Sequence, residues 1–131
     1  MEYVFRGQGQ VGLNLMGAVA AYSEYELSHW AENEGRLGVE QAIQGSSGFS
    51  PVRSLAELPP VVLAELGDIS DVGGPFNSSC LHEDDTPNLR FVTGARRGNQ
   101  FVLAVESGGM SYSVDIRKYY LRDDGSVGTG F

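Results

Sequence analysis

The chain has 131 residues with 41% hydrophobic and 10% aromatic content, a formal net charge of −8 and a single cysteine. These values exclude a disordered chain and an intramolecular disulfide. They predict one acidic globular domain over residues 1–131, with a reducing cytoplasm as its expected location. The acidic balance argues against nucleic acid as a partner because phosphate binding needs a basic face, and no stretch has the length of a membrane span.

The first third of the chain has the composition of helices. Alanines that follow Leu13 favour a helix from about that residue. Ser23 and Glu26 have the spacing of a capping box, which predicts a further helix that continues to about Asn33. Gly35 is the expected stop of that helix.

The middle of the chain predicts two more short helices and a long loop. Residues 37–44 have a helical composition, and Ser54 begins a second capping box. The proline pair that precedes Val61 predicts a helix over residues 60–66, which a glycine ends. Residues 68–87 are rich in glycine, proline, asparagine and aspartate, and a loop of this length in a compact domain is often functional.

Residues 89–121 predict an antiparallel meander of three strands. The Gly108-Gly109 pair predicts a two-residue turn between the second and third strands. An odd-length turn over residues 97–99 is preferred between the first two strands, because a two-residue turn would place Arg96 beside Phe101 and so bury a charge or expose a phenylalanine. The expected fold is therefore α+β, with N-terminal helices packed on one face of a C-terminal antiparallel meander of at least three strands.

These turns give the meander two different faces, because side chains alternate along a strand. The expected core face carries Phe91, Phe101, Leu103, Val105, Tyr112, Val114 and Ile116. The other face is mixed, and it carries Arg90, Val92, Val102, Glu106, Ser113, Asp115 and Arg117. Residues 126–131, which follow an Asp-Asp-Gly turn, are expected to form a loose tail.

Two motifs have both a functional and a structural interpretation. Residues 7–12 match the dinucleotide spelling G-x-G-x-x-G, but no second strand with an acidic ribose ligand follows, so no cofactor is expected. Cys80, His82 and Glu83 are ligand types that zinc accepts, yet no paired spacing fixes a geometry, and a solvated acidic loop is the preferred interpretation. Acidic neighbours also disfavour a reactive thiolate at Cys80.

The leading functional hypothesis is a non-catalytic binding or interaction domain that forms a homodimer through the mixed face of its sheet. The alternative is a protein that binds or processes a small molecule in a pocket between helices and sheet, with Trp30 and Tyr112 among the candidate aromatic residues. A third hypothesis is an acidic inhibitor of a basic protein. No constellation of residues fixes a catalytic mechanism, so a role without catalysis is favoured.

Overall fold

A computed structural model of the chain describes residues 24–75, 86–108 and 112–131. The chain divides into two compact units, Met1–Trp30 and Ala31–Phe131, and the packing described below lies within the second unit. The predicted helix from Leu13, the cap at Ser23 and the dinucleotide spelling fall outside the described residues. The expectation of a single domain stays a prediction.

The described part contains two α-helices, a short 3₁₀ helix and five strands. In chain order they are α1 (Glu24–Ala42), β1 (Ser50–Val52), the 3₁₀ helix (Leu55–Glu57), α2 (Pro60–Leu66), β2 (Leu89–Arg97), β3 (Gln100–Ser107), β4 (Ser113–Leu121) and β5 (Val127–Thr129). All strand pairs are antiparallel, and the sheet order is β1-β2-β3-β4-β5. The predicted α+β class and its C-terminal meander are confirmed. Neither α1 nor α2 combines the length and the apolar character that crossing a membrane requires.

The expected loose tail after residue 125 is wrong, because β5 lies within it and pairs with the end of β4. Tyr120 lies opposite Gly128 in this pairing. A Cβ at Gly128 would overlap the Tyr120 ring, so the glycine provides the space in which the ring lies against the strand. The glycine that weakens the strand signal in the sequence is therefore what allows this strand to pair.

α1 is one continuous helix where two helices were expected. Gly35, the predicted stop, lies inside it. A Cβ on Gly35 would lie 2.8 Å from Val92 Cγ1 and 3.0 Å from Ala104 Cβ. A Cβ on Gly38 would lie 2.6 Å from Ile116 Cδ1. The two glycines let the helix backbone approach the sheet closely, and this packing offsets the cost of about 1 kcal/mol that each glycine adds in a helix interior.

The turn between β2 and β3 consists of two residues, Gly98 and Asn99, so the predicted odd-length turn is wrong. Arg96 therefore lies opposite Phe101, the arrangement that the predicted odd-length turn would have avoided. However, the Arg96 guanidinium carbon lies 4.7 Å from the centre of the Phe101 ring, and Phe101 is fully buried beneath it. The arginine covers the ring with its cationic head at the surface, so neither a buried charge nor an exposed phenylalanine results.

A β-bulge at Val92 shifts the register, so the residues before it, at the start of β2, have the partners that were expected. Phe91 pairs with Val105, and Arg90 pairs with Glu106, as predicted. The extra residue in β2 compensates for the shorter turn, because it shifts the register by one position. The predicted partners of Arg90 and Phe91 are therefore correct, although the extra residue lies in the strand and not in the turn.

The turn between β3 and β4 is longer than expected. Residues 108–112 connect the two strands, so the predicted turn at Gly108-Gly109 is wrong. Val105 lies opposite Asp115, whereas a two-residue turn would place Tyr112 there. The shift is an odd number of residues, and it therefore moves every β4 side chain to the opposite face of the sheet from the one predicted.

Each face of the sheet carries a helix, whereas helices on one face were expected. Residues of α2 pack on one face, which we call the α2 face, in a buried cluster of Val52, Leu58, Val62, Leu66, Phe91, Phe101, Leu103, Val105 and Tyr119. α1 packs on the other, the α1 face, in a buried cluster of Val39, Ala95, Val102 and Ala104 bordered by Val92, Val114 and Ile116. Both sides of the sheet centre are therefore interior.

Gly38→Ala is expected to destabilise the protein by about 1–3 kcal/mol, because the new Cβ overpacks against Ile116. The same substitution on an unpacked helix surface would stabilise it by about 1 kcal/mol. Urea unfolding followed by circular dichroism measures the free energy of unfolding.

Ile116→Ala serves as the matched second change, because it removes both Cδ1 and Cγ1, the two atoms that the new Cβ would meet. The pair Gly38→Ala with Ile116→Ala should lose less stability than the two single losses added together. A Gly38→Ala variant as stable as the parent chain would contradict the close approach of α1.

Candidate functional site

The residues predicted to share an open mixed face do not form one surface. Val102 is fully buried, and Arg90 and Glu106 are 6% and 3% exposed on the α1 face. Val92 is half-buried beside Gly35 of α1. A free sheet face at Val92 and Val102 is therefore wrong, because α1 of the same chain packs against them.

Ser113, Asp115 and Arg117 lie on the α2 face, since β4 has the opposite register from the one predicted. Asp115 is exposed, and its two neighbours are half-buried. The Ser113 hydroxyl lies 3.0 Å from the Ser107 hydroxyl of β3, so it is held by a hydrogen bond across the ladder. These three side chains remain together at the surface, but without the other members of the predicted face.

Arg90, Glu106 and Tyr112 form a largely buried polar cluster. Arg90 Nε donates to Glu106 Oε2 at 2.6 Å, and the Tyr112 hydroxyl donates to Glu106 Oε1 at 2.7 Å. Arg90 Nη1 also donates to the Gly74 carbonyl oxygen at 2.9 Å. The cluster joins β2, β3, the residue before β4 and the loop after α2. Both carboxylate oxygens of Glu106 accept hydrogen bonds, as a buried carboxylate requires.

Arg90→Met is expected to cost about 3–5 kcal/mol of stability, because it leaves the buried Glu106 carboxylate without its guanidinium. The double variant Arg90→Met with Glu106→Met should lose less, since two apolar side chains need no compensating charge. Urea unfolding of both variants and the parent chain gives the comparison. A double variant less stable than Arg90→Met would show that the ion pair is not a coupled unit.

Asp71 ties the loop after α2 to the 3₁₀ helix. Its Oδ1 accepts from the backbone N–H of Leu55 at 3.0 Å and of Val72 at 2.8 Å, and its Oδ2 accepts from the Ser54 hydroxyl at 2.8 Å. Burial raises the pKa of Asp71, but these hydrogen bonds together outweigh it and hold the pKa below its usual value. Ser54 Oγ accepts from Ala56 N at 3.1 Å, which confirms the predicted N-cap. Asp71 is therefore a structural carboxylate that extends this cap.

The candidate metal ligands Cys80, His82 and Glu83 lie outside the described residues, and the preference for a solvated acidic loop there stays a prediction. Across residues 24–75, 86–108 and 112–131, no group of three or more His, Cys, Asp or Glu side chains is placed to hold a metal ion. Trp30, one of the candidate aromatic residues, is 42% exposed on α1.

The edge of β4 that faces away from β3 is a candidate interaction surface. β4 pairs with β3 along almost its whole length, but with β5 only through residues 119–121. The carbonyl oxygen of Lys118 accepts from Gly130 N at 2.9 Å, on the side away from β3. Because successive residues in a strand direct their backbone groups to alternate sides, Val114 and Ile116 also direct N–H and C=O away from β3. We call this stretch, residues 113–117, the outer edge of β4.

The outer edge has a charged side and an apolar side. Asp115 and Arg117 lie on the α2 face, opposite Val105 and Leu103 of β3. Val114 and Ile116 border the buried cluster on the α1 face. Among the described strands, none pairs with this stretch on the side away from β3. The backbone donors and acceptors of the outer edge are therefore positioned to bind another extended chain.

Comparison of the chain with protein-family models, with curated proteins and with solved structures found no match. The function is therefore inferred from the geometry of the chain itself.

The outer edge was missed in the sequence because its extent depends on where β5 stops. A signal for β5 was present, since Asp124-Gly125 is a turn pair between the end of β4 and Val127. Recognising that hairpin would have shown that β5 is too short to cover the first half of β4.

Proposed function

We propose that the protein is a non-catalytic interaction domain that self-associates, and that two copies pair through the outer edge of β4. The outward backbone groups of Val114 and Ile116 carry this proposal. An exposed strand edge is a template for another strand, and main-chain hydrogen bonds supply the affinity of such pairing.

A two-fold axis perpendicular to the sheet, midway between the Asp115 residues of the two copies, gives a self-complementary antiparallel pairing. Val114 of each copy then lies opposite Ile116 of the other copy, and each such pair exchanges two N–H···O bonds. A register displaced toward β5 is disfavoured, because it would use the carbonyl of Lys118, which already accepts from Gly130. Residues 113–117, which β5 does not cover, are therefore long enough for this pairing.

The side chains on the α1 face support the same register. Val114 of one copy would meet Ile116 of the other, so the apolar borders of the two buried clusters become continuous. Cross-strand contacts between β-branched residues stabilise antiparallel pairs by about 0.2–1 kcal/mol each. The contact adds apolar burial to the backbone hydrogen bonds.

The side chains on the α2 face form a neutral group of four charges. Asp115 of the two copies would lie opposite each other, which is unfavourable alone. Arg117 of each copy lies diagonally across from Asp115 of the other, within the reach of a long side chain. The two carboxylates then lie at the centre of the interface with one guanidinium group on each side, so the pairing depends on the arginine.

A small-molecule pocket between a helix and the sheet has less support. Val102 on the α1 face and Leu103 on the α2 face are both fully buried. Side chains therefore fill the centre of both helix–sheet interfaces in the described part of the chain. This packing favours an interaction domain over a domain with an internal ligand pocket.

Val114→Pro is expected to weaken self-association at least about tenfold, a change of about 1.4 kcal/mol, because it removes an outward N–H. The β3–β4 ladder should survive, since this N–H faces away from β3. Val114→Ala is the matched control, because it also removes the valine side chain but keeps the N–H.

Sedimentation equilibrium of the parent chain and both variants measures the dimer constants, and circular dichroism checks the fold. A monomeric parent chain at micromolar concentration would overturn the proposal. Equal dimer constants for the folded proline and alanine variants would exclude the outer edge of β4 as the interface.

Arg117→Asp is expected to dissociate the dimer at low salt, because four carboxylates would then face one another. The double reversal Asp115→Arg with Arg117→Asp restores a neutral group and should recover most of the affinity. The difference between the two variants should shrink at 1 M salt, where the Debye length is about 3 Å. A double variant that associates no better than Arg117→Asp would contradict the register in which the two Asp115 residues lie opposite each other.

A further inference from the structure

A cleft of about 390 Å³ lies at the end of the sheet where the β2–β3 turn meets the end of β4. It is lined by Asn99, Gln100, Tyr120, Leu121, Gly130 and Phe131. The volume falls within the range of about 300–1,000 Å³ that small-molecule sites occupy. Two aromatic rings and two side-chain amides thus border a shallow space, largely open to solvent, that is large enough for a single ring.

Two cations stand over the aromatic rings of this cleft. Lys118 Nζ lies 5.3 Å from the centre of the Phe131 ring, and the Arg122 guanidinium carbon lies 5.4 Å from the centre of the Tyr120 ring. Both distances are those of cation–π contacts. The aromatic walls are therefore combined with positive charge, although the chain as a whole carries a net charge of −8.

Of the two cations, Arg122 has an acidic neighbour in the described part of the chain, whereas Lys118 forms no ion pair there. Arg122 acts on Asp124, whose pKa is lowered chiefly by hydrogen bonds from Ser126 and also by the Arg122 charge. In the described part of the chain, the ion pairs within 4 Å do not include Lys118. An anionic ligand group in the cleft would therefore meet a cation that is available to pair with it.

Two of the lining side chains, Gln100 and Tyr120, are held in place before any ligand binds. Arg97 donates to Gln100 Oε1 from Nε at 3.2 Å and from Nη2 at 2.8 Å. This fork occupies the amide oxygen, so the Gln100 Nε2 hydrogens are left to donate. The Tyr120 ring lies against Gly128, where no side chain could fit. A preorganised wall loses less entropy when it binds.

We propose that this cleft binds a small planar molecule with one anionic group, such as an aromatic carboxylate or an aryl phosphate. The ring packs between Tyr120 and Phe131, the anion pairs with Lys118, and the Gln100 amide donates to the ligand. The cleft shares no residue with the outer edge of β4, so this binding does not rest on self-association.

Titration of the ¹⁵N-labelled full chain, followed by ¹H–¹⁵N correlation spectra, tests this proposal. The probes are benzoate and phenyl phosphate, which distinguish the two anion classes, with benzyl alcohol as a neutral ring and inorganic phosphate as an anion without a ring. Saturable shifts at the amides of Gln100, Tyr120 and Gly130 are expected with at least one aromatic anion, with a dissociation constant of about 1 mM.

Lys118→Met should weaken binding of that aromatic anion about tenfold, because it keeps the side-chain length and removes the charge. Arg36→Met is the matched control, since Arg36 bonds to Asn33 and Glu40 on α1 and does not line the cleft. Its affinity for the same probe should be unchanged.

Absence of saturable shifts with both aromatic anions would overturn the proposal. Equal affinity for benzyl alcohol or for inorganic phosphate would overturn it too, since the ring and the charge are both required. An unchanged affinity in Lys118→Met would remove the assigned anion partner.

Discussion

The close approach of α1 to the sheet at Gly35 and Gly38 determines which surfaces the protein presents. The helix backbone lies against Val92, Ala104 and Ile116 because neither glycine carries a side chain. This contact makes the α1 face interior, and α2 closes the centre of the opposite face. Within the described residues, the two candidate sites therefore lie at an edge and at an end of the sheet rather than on its faces.

Register decides which β4 side chains are available for function. The connection over residues 108–112 places Val114 and Ile116 toward α1 and leaves Asp115 at the surface. A slip by one residue would turn the Asp115 carboxylate toward the close helix contact, and burying an unpaired charge there would cost several kcal/mol. The same alternation that protects the core therefore assembles the charged side of the outer edge.

The polar cluster of Arg90, Glu106 and Tyr112 connects this core to the proposed interface. Tyr112 immediately precedes β4, and its hydroxyl bonds to Glu106, which in turn binds Arg90. These hydrogen bonds fix the position of Tyr112, so the outer edge of β4 follows a residue that is anchored to β3. An edge that is already extended loses less conformational entropy when a second strand pairs with it.

The sequence by itself determined the features that rest on local signals or on direct strand partners. The helix over residues 60–66 followed from its prolines and terminal glycine, the cap at Ser54 from its spacing, and the Arg90–Glu106 pair from alternation. Tertiary structure alone decided that Gly35 continues a helix, because the glycine is needed for close packing against Val92 and Ala104, which are distant in sequence. It also decided the two turn lengths and the place of β5, since a bulge or a longer turn is chosen by which register buries the most apolar surface. Local propensity does not contain that information, because burial is a property of the packed chain.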